Sequence, residues 1–280
     1  MGKLDKPNLS PKHWKVQCLS SLSKKYSTST MAPTTTDKAS STMVAVSKKV
    51  LITGVSRGLG RALALELATY GHTVIGCSRD QTKLDSLQLQ LSKVSPNANH
   101  LLLSIDVKCN RSVEEFARTV MENELIPDII VNNAGVANKR SNMWEIDVQD
   151  FDNVIDTNIK GTTNILRHFI PLMIPYNQGI IVNISSDAGR DNIPYKSLAP
   201  YCASKWGIEG LSKCIAQELP KGMAIVALDP GIIHTDMLKS WMAGDYLPSQ
   251  YQTPEHWATK AAPIILNLTT NNNGASLTIN

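Results

Sequence analysis

Val50-Leu51-Ile52-Thr53-Gly54-Val55-Ser56-Arg57-Gly58-Leu59-Gly60 is an apolar run that passes directly into a glycine-rich turn. Apolar and β-branched residues without polar alternation read as a strand buried on both faces, here 50–53. A helix follows through Tyr70. In Thr53-Gly54-x-x-x-Gly58-x-Gly60 the glycines permit a tight turn and let the backbone approach a bound group. The amides and dipole at the start of the next helix favour phosphate. An ordinary strand-to-helix turn can also carry glycines, but this one follows the first strand of a βαβ unit, the place where a dinucleotide pyrophosphate is held.

Working outward, the same alternation repeats. Short apolar runs predict strands at 73–77, 100–105, 128–131, 179–184, 223–228 and 275–279, and amphipathic segments predict helices at 81–91, 111–124, 149–170, through 201–219 and at 254–268. Regular β-then-α order implies a parallel sheet with helices on both faces. The expected fold is α/β, a single Rossmann-like doubly wound parallel sheet flanked by helices, over residues 48–280.

The first 47 residues differ in kind. They are rich in Ser and Thr, sustain no helical period, and read as a disordered or targeting tail. Few acids and many hydroxyls suit an organelle transit peptide, the absence of Arg does not, and translation starting at Met31 or Met43 is a third reading. Nine lysines and two acids fall within the first 49 residues, leaving 19 basic and 22 acidic residues beyond them. The basic excess therefore belongs to the tail, and a nucleic-acid-binding core is not expected. No secretory leader or apolar run of membrane length is present, so no membrane role is expected and a cytoplasmic protein is, with organelle import through the tail left open. Five scattered cysteines without paired spacing read as reduced thiols, and no metal site is expected.

Two further features carry chemistry. After the second strand the chain reads Gly76-Cys77-Ser78-Arg79, with no acid for a ribose 2′-hydroxyl but an Arg and a hydroxyl suited to a 2′-phosphate. Arg57 adds a second positive charge in the glycine turn, so NADPH/NADP+ is favoured over NAD. Asp106, after the third strand, could meet an adenine amino group or cap its own turn. Tyr201-x-x-x-Lys205 places a phenol and an ammonium one helical turn apart. A neighbouring cation lowers a phenol's pKa, which would suit proton transfer near neutrality, although such pairs also decorate helix surfaces.

Thr53-Gly54-x-x-x-Gly58-x-Gly60, Asn132-Asn133-Ala134-Gly135, Asn158, Ser186, Tyr201-x-x-x-Lys205 and Pro230-Gly231 occur in an order that resembles the short-chain dehydrogenases/reductases. The resemblance runs from about residue 49 to the end. It implies that Tyr201 protonates a substrate carbonyl as hydride arrives, that Lys205 lowers the Tyr201 pKa and holds the nicotinamide ribose, that Ser186 polarises the carbonyl, and that Asn158 anchors a water leading to Lys205. It also implies a cofactor held by Gly54, Ser56, Arg57, Gly58, Leu59 and Gly60, by Ser78 and Arg79, by Asp106 and Val107, by Asn133, Ala134 and Gly135, by Tyr201 and Lys205, and by Pro230, Gly231, Ile233 and Thr235. Ser-x-x-Gly spacing favours Ser186 over Ser185, and Tyr195 lacks a lysine four residues on. Residues 187–200 form a slightly long segment, read either as solvent-exposed variation or as a polar wall for the substrate.

Within the family, 74–79, 128–135, 166–173 and 273–278 resemble plant-type members that reduce a pterin 6-aldehyde, which implies a small-molecule carbonyl substrate and a step of folate salvage in the cytosol. Trp144, Tyr195, Trp241, Asp187 and Asn192 are candidates for pterin contacts, each also readable as packing or solvated loop. A tropinone-like or broad carbonyl reductase is the alternative enzyme, and a non-catalytic NADP-binding regulator the alternative of another class. The resemblance implies a homodimer or homotetramer.

Overall fold

The unbroken apolar run becomes strand β1 (Lys49–Thr53), and its side chains serve two cores at once. In the computed structural model, which describes residues 47–190, 195–242, 249 and 251–279, Val50 and Ile52 face one side of the sheet and Leu51 the other. This is why the run shows no polar alternation: both faces are covered.

Six further strands lie parallel to it, β2 (Thr73–Ser78), β3 (Leu101–Ser104), β4 (Ile129–Asn132), β5 (Gly179–Ile184), β6 (Met223–Asp229) and β7 (Ser276–Thr278), in the order β3-β2-β1-β4-β5-β6-β7. Over one face pack α1 (Gly58–Thr69), α2 (Gln81–Val94) and α8 (Pro254–Leu266), with Trp257 wholly buried among them. Over the other pack α3 (Asn110–Glu122) and α5 (Thr162–Met173), joined by Phe116 and Phe169 edge to face at 5.3 Å. Each buried phenylalanine contributes roughly 2–3 kcal/mol of transfer free energy.

Strand order reverses between β1 and β4. Outside the carboxyl ends of these two strands lies the crevice where such folds bind ligands. The doubly wound expectation thus holds. The tail expected at 1–47 lies outside the described residues, save Ser47.

The helix expected at 149–170 is not continuous. α4 (Val148–Ile155) passes through a π-helical turn, Asp156–Gly161, into α5. Periodicity averages over one inserted residue, so the sequence pattern hides such a turn, and π turns concentrate at functional sites. α6 (Ala199–Ala216) carries Tyr201 and Lys205, and the short α7 (Asp236–Met242) follows β6. Among the described residues no helix is long and apolar enough to cross a membrane, and no cluster of metal-ligating side chains occurs.

Candidate active site

The crevice is a cavity of about 400 Å³, bounded by the glycine turn at one end and by Tyr195, Tyr201 and Trp241 at the other. Its turn end depends on two glycines with left-handed backbones. Gly54 has φ +75°, and a Cβ there would lie 2.9 Å from Ala134 Cα; Gly58 has φ +56°. Asn133 braces the turn, its amide donating to the Thr53 and Gly54 carbonyls at 2.8 and 3.2 Å, while Thr53 Oγ1 accepts from the Asn133 and Ala134 amides. The N-cap of α1 is Arg57, whose side chain makes no cap bond, so no side chain there occupies the first amides of the helix. That end fits a pyrophosphate.

Of the expected cofactor residues all but Gly60 line the cavity. Gly60 is instead buried in α1, where a Cβ would meet Asn133 Nδ2 at 2.4 Å and Gly54 O at 2.5 Å; it lets the helix close on the turn. Ser78 and Arg79 border the cavity after β2, whereas Asp80 turns away to cap α2, accepting from the Lys83 amide at 3.1 Å. The acid next in sequence is therefore absent from the cavity lining, and Arg79 belongs to it. Asp106 caps its own turn by accepting from Lys108 N at 3.0 Å and still borders the cavity. Arg57 differs from expectation: its guanidinium meets Asp236 at 3.2 Å across the cavity mouth, an exposed pair of small strength that a phosphate would compete for.

At the other end Tyr201, Lys205 and Ser186 converge. Lys205 Nζ donates to the Ile184 carbonyl at 2.8 Å and sits 5.6 Å from the Tyr201 ring centroid. Ser186 caps the short turn Asp187–Gly189, accepting from Ala188 N at 3.2 Å and donating to Asp187 Oδ1 at 2.9 Å. Asp187 Oδ2 accepts from the Tyr195 hydroxyl at 2.5 Å. Trp241 stands edge-on to the Tyr201 ring at 4.8 Å.

Asn158 lies outside the cavity. Its Oδ1 accepts from Val136 N at 2.9 Å, and Nδ2 donates to Val136 O and Ser204 Oγ, each at 2.9 Å. Both of its donors are thereby used to clamp the Gly135–Val136 backbone against α6, so as a donor the side chain has nothing left for a water.

The electrostatics correct one expectation. Burial pushes the Tyr201 phenol well above its ordinary pKa; the Ser186 hydroxyl pulls the other way, and Asp187 and Asp229 add to the rise. Burial likewise pulls the Lys205 ammonium down to about 8, against Asp229 and Glu209. Desolvation outweighs the tyrosine–lysine pairing because both groups sit in a poorly hydrated pocket, which favours the neutral form of each. A neutral phenol is the form that donates a proton.

Two hydroxyls were not among the expected site residues, Ser185 having been set aside in favour of Ser186 and Thr157 having been missed. Ser185 and Thr157 border the cavity with buried oxygens that have no protein partner. Such atoms are satisfied by a ligand or by water, so they fit a bound polar cofactor. Arg190, read as loop, is instead turned inward, its Nε donating to Glu209 at 2.8 Å and its other nitrogens to Thr278, Leu277 and Ala227. Glu209, one turn beyond Lys205, was the only sequence signal of this pair. Trp144 is 82% exposed in a short turn and is not part of the cavity lining, and Asn192 lies outside the described residues.

A family model described as short chain dehydrogenase matches residues 48–245. The chain is 59% identical over 236 residues to the NADPH-dependent pterin aldehyde reductase of Arabidopsis thaliana, covering 84% of this chain and 95% of that protein. It is 32% identical over 194 residues to a 3-oxoacyl-(acyl-carrier-protein) reductase of Staphylococcus epidermidis, covering 69% and 78%. Among solved structures, levodione reductase superposes with a TM-score of 0.74 at 26% identity, covering 82% of this chain and 95% of that one.

Proposed function

This chain belongs to the short-chain dehydrogenase family, and we propose that it is an NADPH-dependent reductase whose preferred substrate is a pterin 6-aldehyde, converted to 6-hydroxymethylpterin in a step of folate salvage. The observation that carries the reaction type is the buried Tyr201, kept neutral beside Ser186 and Lys205 at the far end of the cavity from the glycine turn. The substrate assignment is supported by the likeness to the Arabidopsis enzyme. Arg79 at the end of β2, with Asp80 turned away, supports the 2′-phosphate of NADPH over NAD.

NADPH supplies the hydride. Tyr201 holds the proton that the carbonyl oxygen takes as its charge develops, and Ser186 faces that oxygen from the neighbouring turn. Lys205, fixed by the Ile184 carbonyl, would hold the nicotinamide ribose. Asn158 acts through others, holding the Gly135–Val136 floor of the cleft against the catalytic helix. The reductase domain spans 48–280 with 1–47 as a tail outside it, and the reading places the protein in the cytosol as a homodimer or homotetramer.

The test is NADPH oxidation against pterin 6-aldehyde and a panel of unrelated aldehydes and ketones. Preference for the pterin and loss of most turnover in Tyr201→Phe with NADPH binding retained are expected. Equal turnover across the panel would leave a broad carbonyl reductase, and near-normal activity of the variant would refute the role of Tyr201.

A further inference from the structure

Asp187, at the substrate end of the cavity, accepts from two hydroxyls, Ser186 on Oδ1 and Tyr195 on Oδ2. Neither hydroxyl neutralises its charge. Each carboxylate oxygen keeps a further lone pair, so the group can still accept from a ligand. Beside it the Tyr195 and Trp241 rings stand 6.4 Å apart between centroids, tilted by 49°, and Trp241 meets Tyr201 at 4.8 Å, so aromatic rings line this end of the cavity. The Trp241 indole N–H is buried there without an acceptor. A buried donor left unpaired costs free energy, and a ligand acceptor would recover it.

We propose that Asp187 and the Trp241 N–H are specificity-determining contacts, reading the substrate as a flat heteroaromatic carbonyl that brings N–H donors to the carboxylate and a ring acceptor to the indole. This inference rests on the pterin aldehyde reading and deepens it: the pterin amide and amino groups supply the donors, and its ring nitrogens and oxygen the acceptors. A flat aryl aldehyde without N–H groups fits the walls and leaves both polar groups unmet. Discrimination then comes from unpaired polar atoms more than from shape. Because the ligand donors share Asp187 with Ser186, the residue that selects the substrate also borders the hydroxyl facing its carbonyl.

The experiment compares pterin 6-aldehyde with 2-naphthaldehyde, a flat bicyclic aldehyde without N–H groups, in the wild type, Asp187→Asn and Trp241→Phe. Asp187→Asn keeps the shape and removes the charge; Trp241→Phe keeps an aromatic wall and removes the N–H. The ratio of kcat/KM for the pterin to kcat/KM for the naphthaldehyde is expected to fall about tenfold or more in Asp187→Asn, as loss of a hydrogen bond to a charged group implies. Affinity for 6-hydroxymethylpterin, read by fluorescence, should fall in parallel, and Trp241→Phe should lower the ratio as well. A smaller change in the ratio, with both activities declining together, overturns the proposal and leaves Asp187 acting on Ser186 alone. Should Asp187→Asn fail to fold, losing both activities, Trp241→Phe decides by the same ratio. A wild type that reduces naphthaldehyde but not the pterin sinks the functional reading itself, before either variant is measured.

Discussion

Gly189→Ala should disable the site without touching a group that meets the substrate. Gly189 closes the short turn that begins at Ser186 and lies directly against α6, where an added Cβ would sit 2.6 Å from the Lys205 carbonyl carbon and oxygen and 2.9 Å from its Cβ. Ordinary contact begins near 3.4 Å, so turn and helix must separate by about 0.8 Å. The obstacle is backbone in the middle of an 18-residue helix and cannot swing aside. Gly189 is not among the residues with positive φ, so alanine suffers no conformational strain and the effect is steric alone. The turn therefore moves, carrying Ser186 and Asp187 away from Tyr201. A misplacement approaching 1 Å costs about a hundredfold in rate, and the overpacking itself about 1–3 kcal/mol. The assays are kcat/KM with the aldehyde, NADPH affinity by fluorescence, and thermal melting. We expect a loss near a hundredfold in kcat/KM, a melting temperature lower by roughly 2–12 °C, and NADPH affinity changed far less than turnover. Gly210→Ala on the same helix, where a Cβ meets nothing within 4 Å, is the matched control and should be neutral or slightly stabilising. Near-normal turnover and stability in Gly189→Ala would refute the coupling of this turn to the catalytic helix.

Glu209→Gln removes the charge opposite Arg190, a pair in which the side chains are 20% and 6% exposed. Leaving the guanidinium without its counter-charge should cost about 3 kcal/mol and lower the melting temperature by roughly 6–12 °C; an unchanged melting curve would show that the bonds to Thr278, Leu277 and Ala227 suffice. The Lys205 ammonium, pulled down to about 8 by burial and supported by Asp229 on β6 and Glu209 on α6, is lost as pH rises through that value. With NADPH as the varied substrate, kcat/KM, which reports free-enzyme pKa values, should therefore decline above about pH 8, and Asp229→Asn should move that limb to lower pH. An alkaline limb at the same pH in Asp229→Asn would remove Asp229 from the account.

Much of this site was legible beforehand because its parts are local in sequence. A strand running into a glycine turn and a helix is one continuous segment, and Gly54 and Gly58 act through their own φ angles. Tyr201 and Lys205 share a helix face by spacing alone. Arg57 was read correctly as part of the turn but not as the partner of Asp236, which lies 179 residues away. Gly60 was read as a cofactor contact and lies outside the cavity lining, packed against Asn133 and the Gly54 carbonyl, a placement that depends on where Asn133 falls.

What the sequence determined by itself is the set of short-range features: buried parallel strands, from apolar runs without alternation; the glycine turn, from its spacing; and the tyrosine–lysine face, from helical geometry. Only the tertiary structure decided the protonation of Tyr201 and Lys205, the π turn that aims Asn158 at Val136 and Ser204, and the seating of Asp187, Tyr195 and Trp241 around the reacting centre. Desolvation and hydrogen-bond partnership are properties of surroundings assembled from distant segments, and no local pattern encodes them.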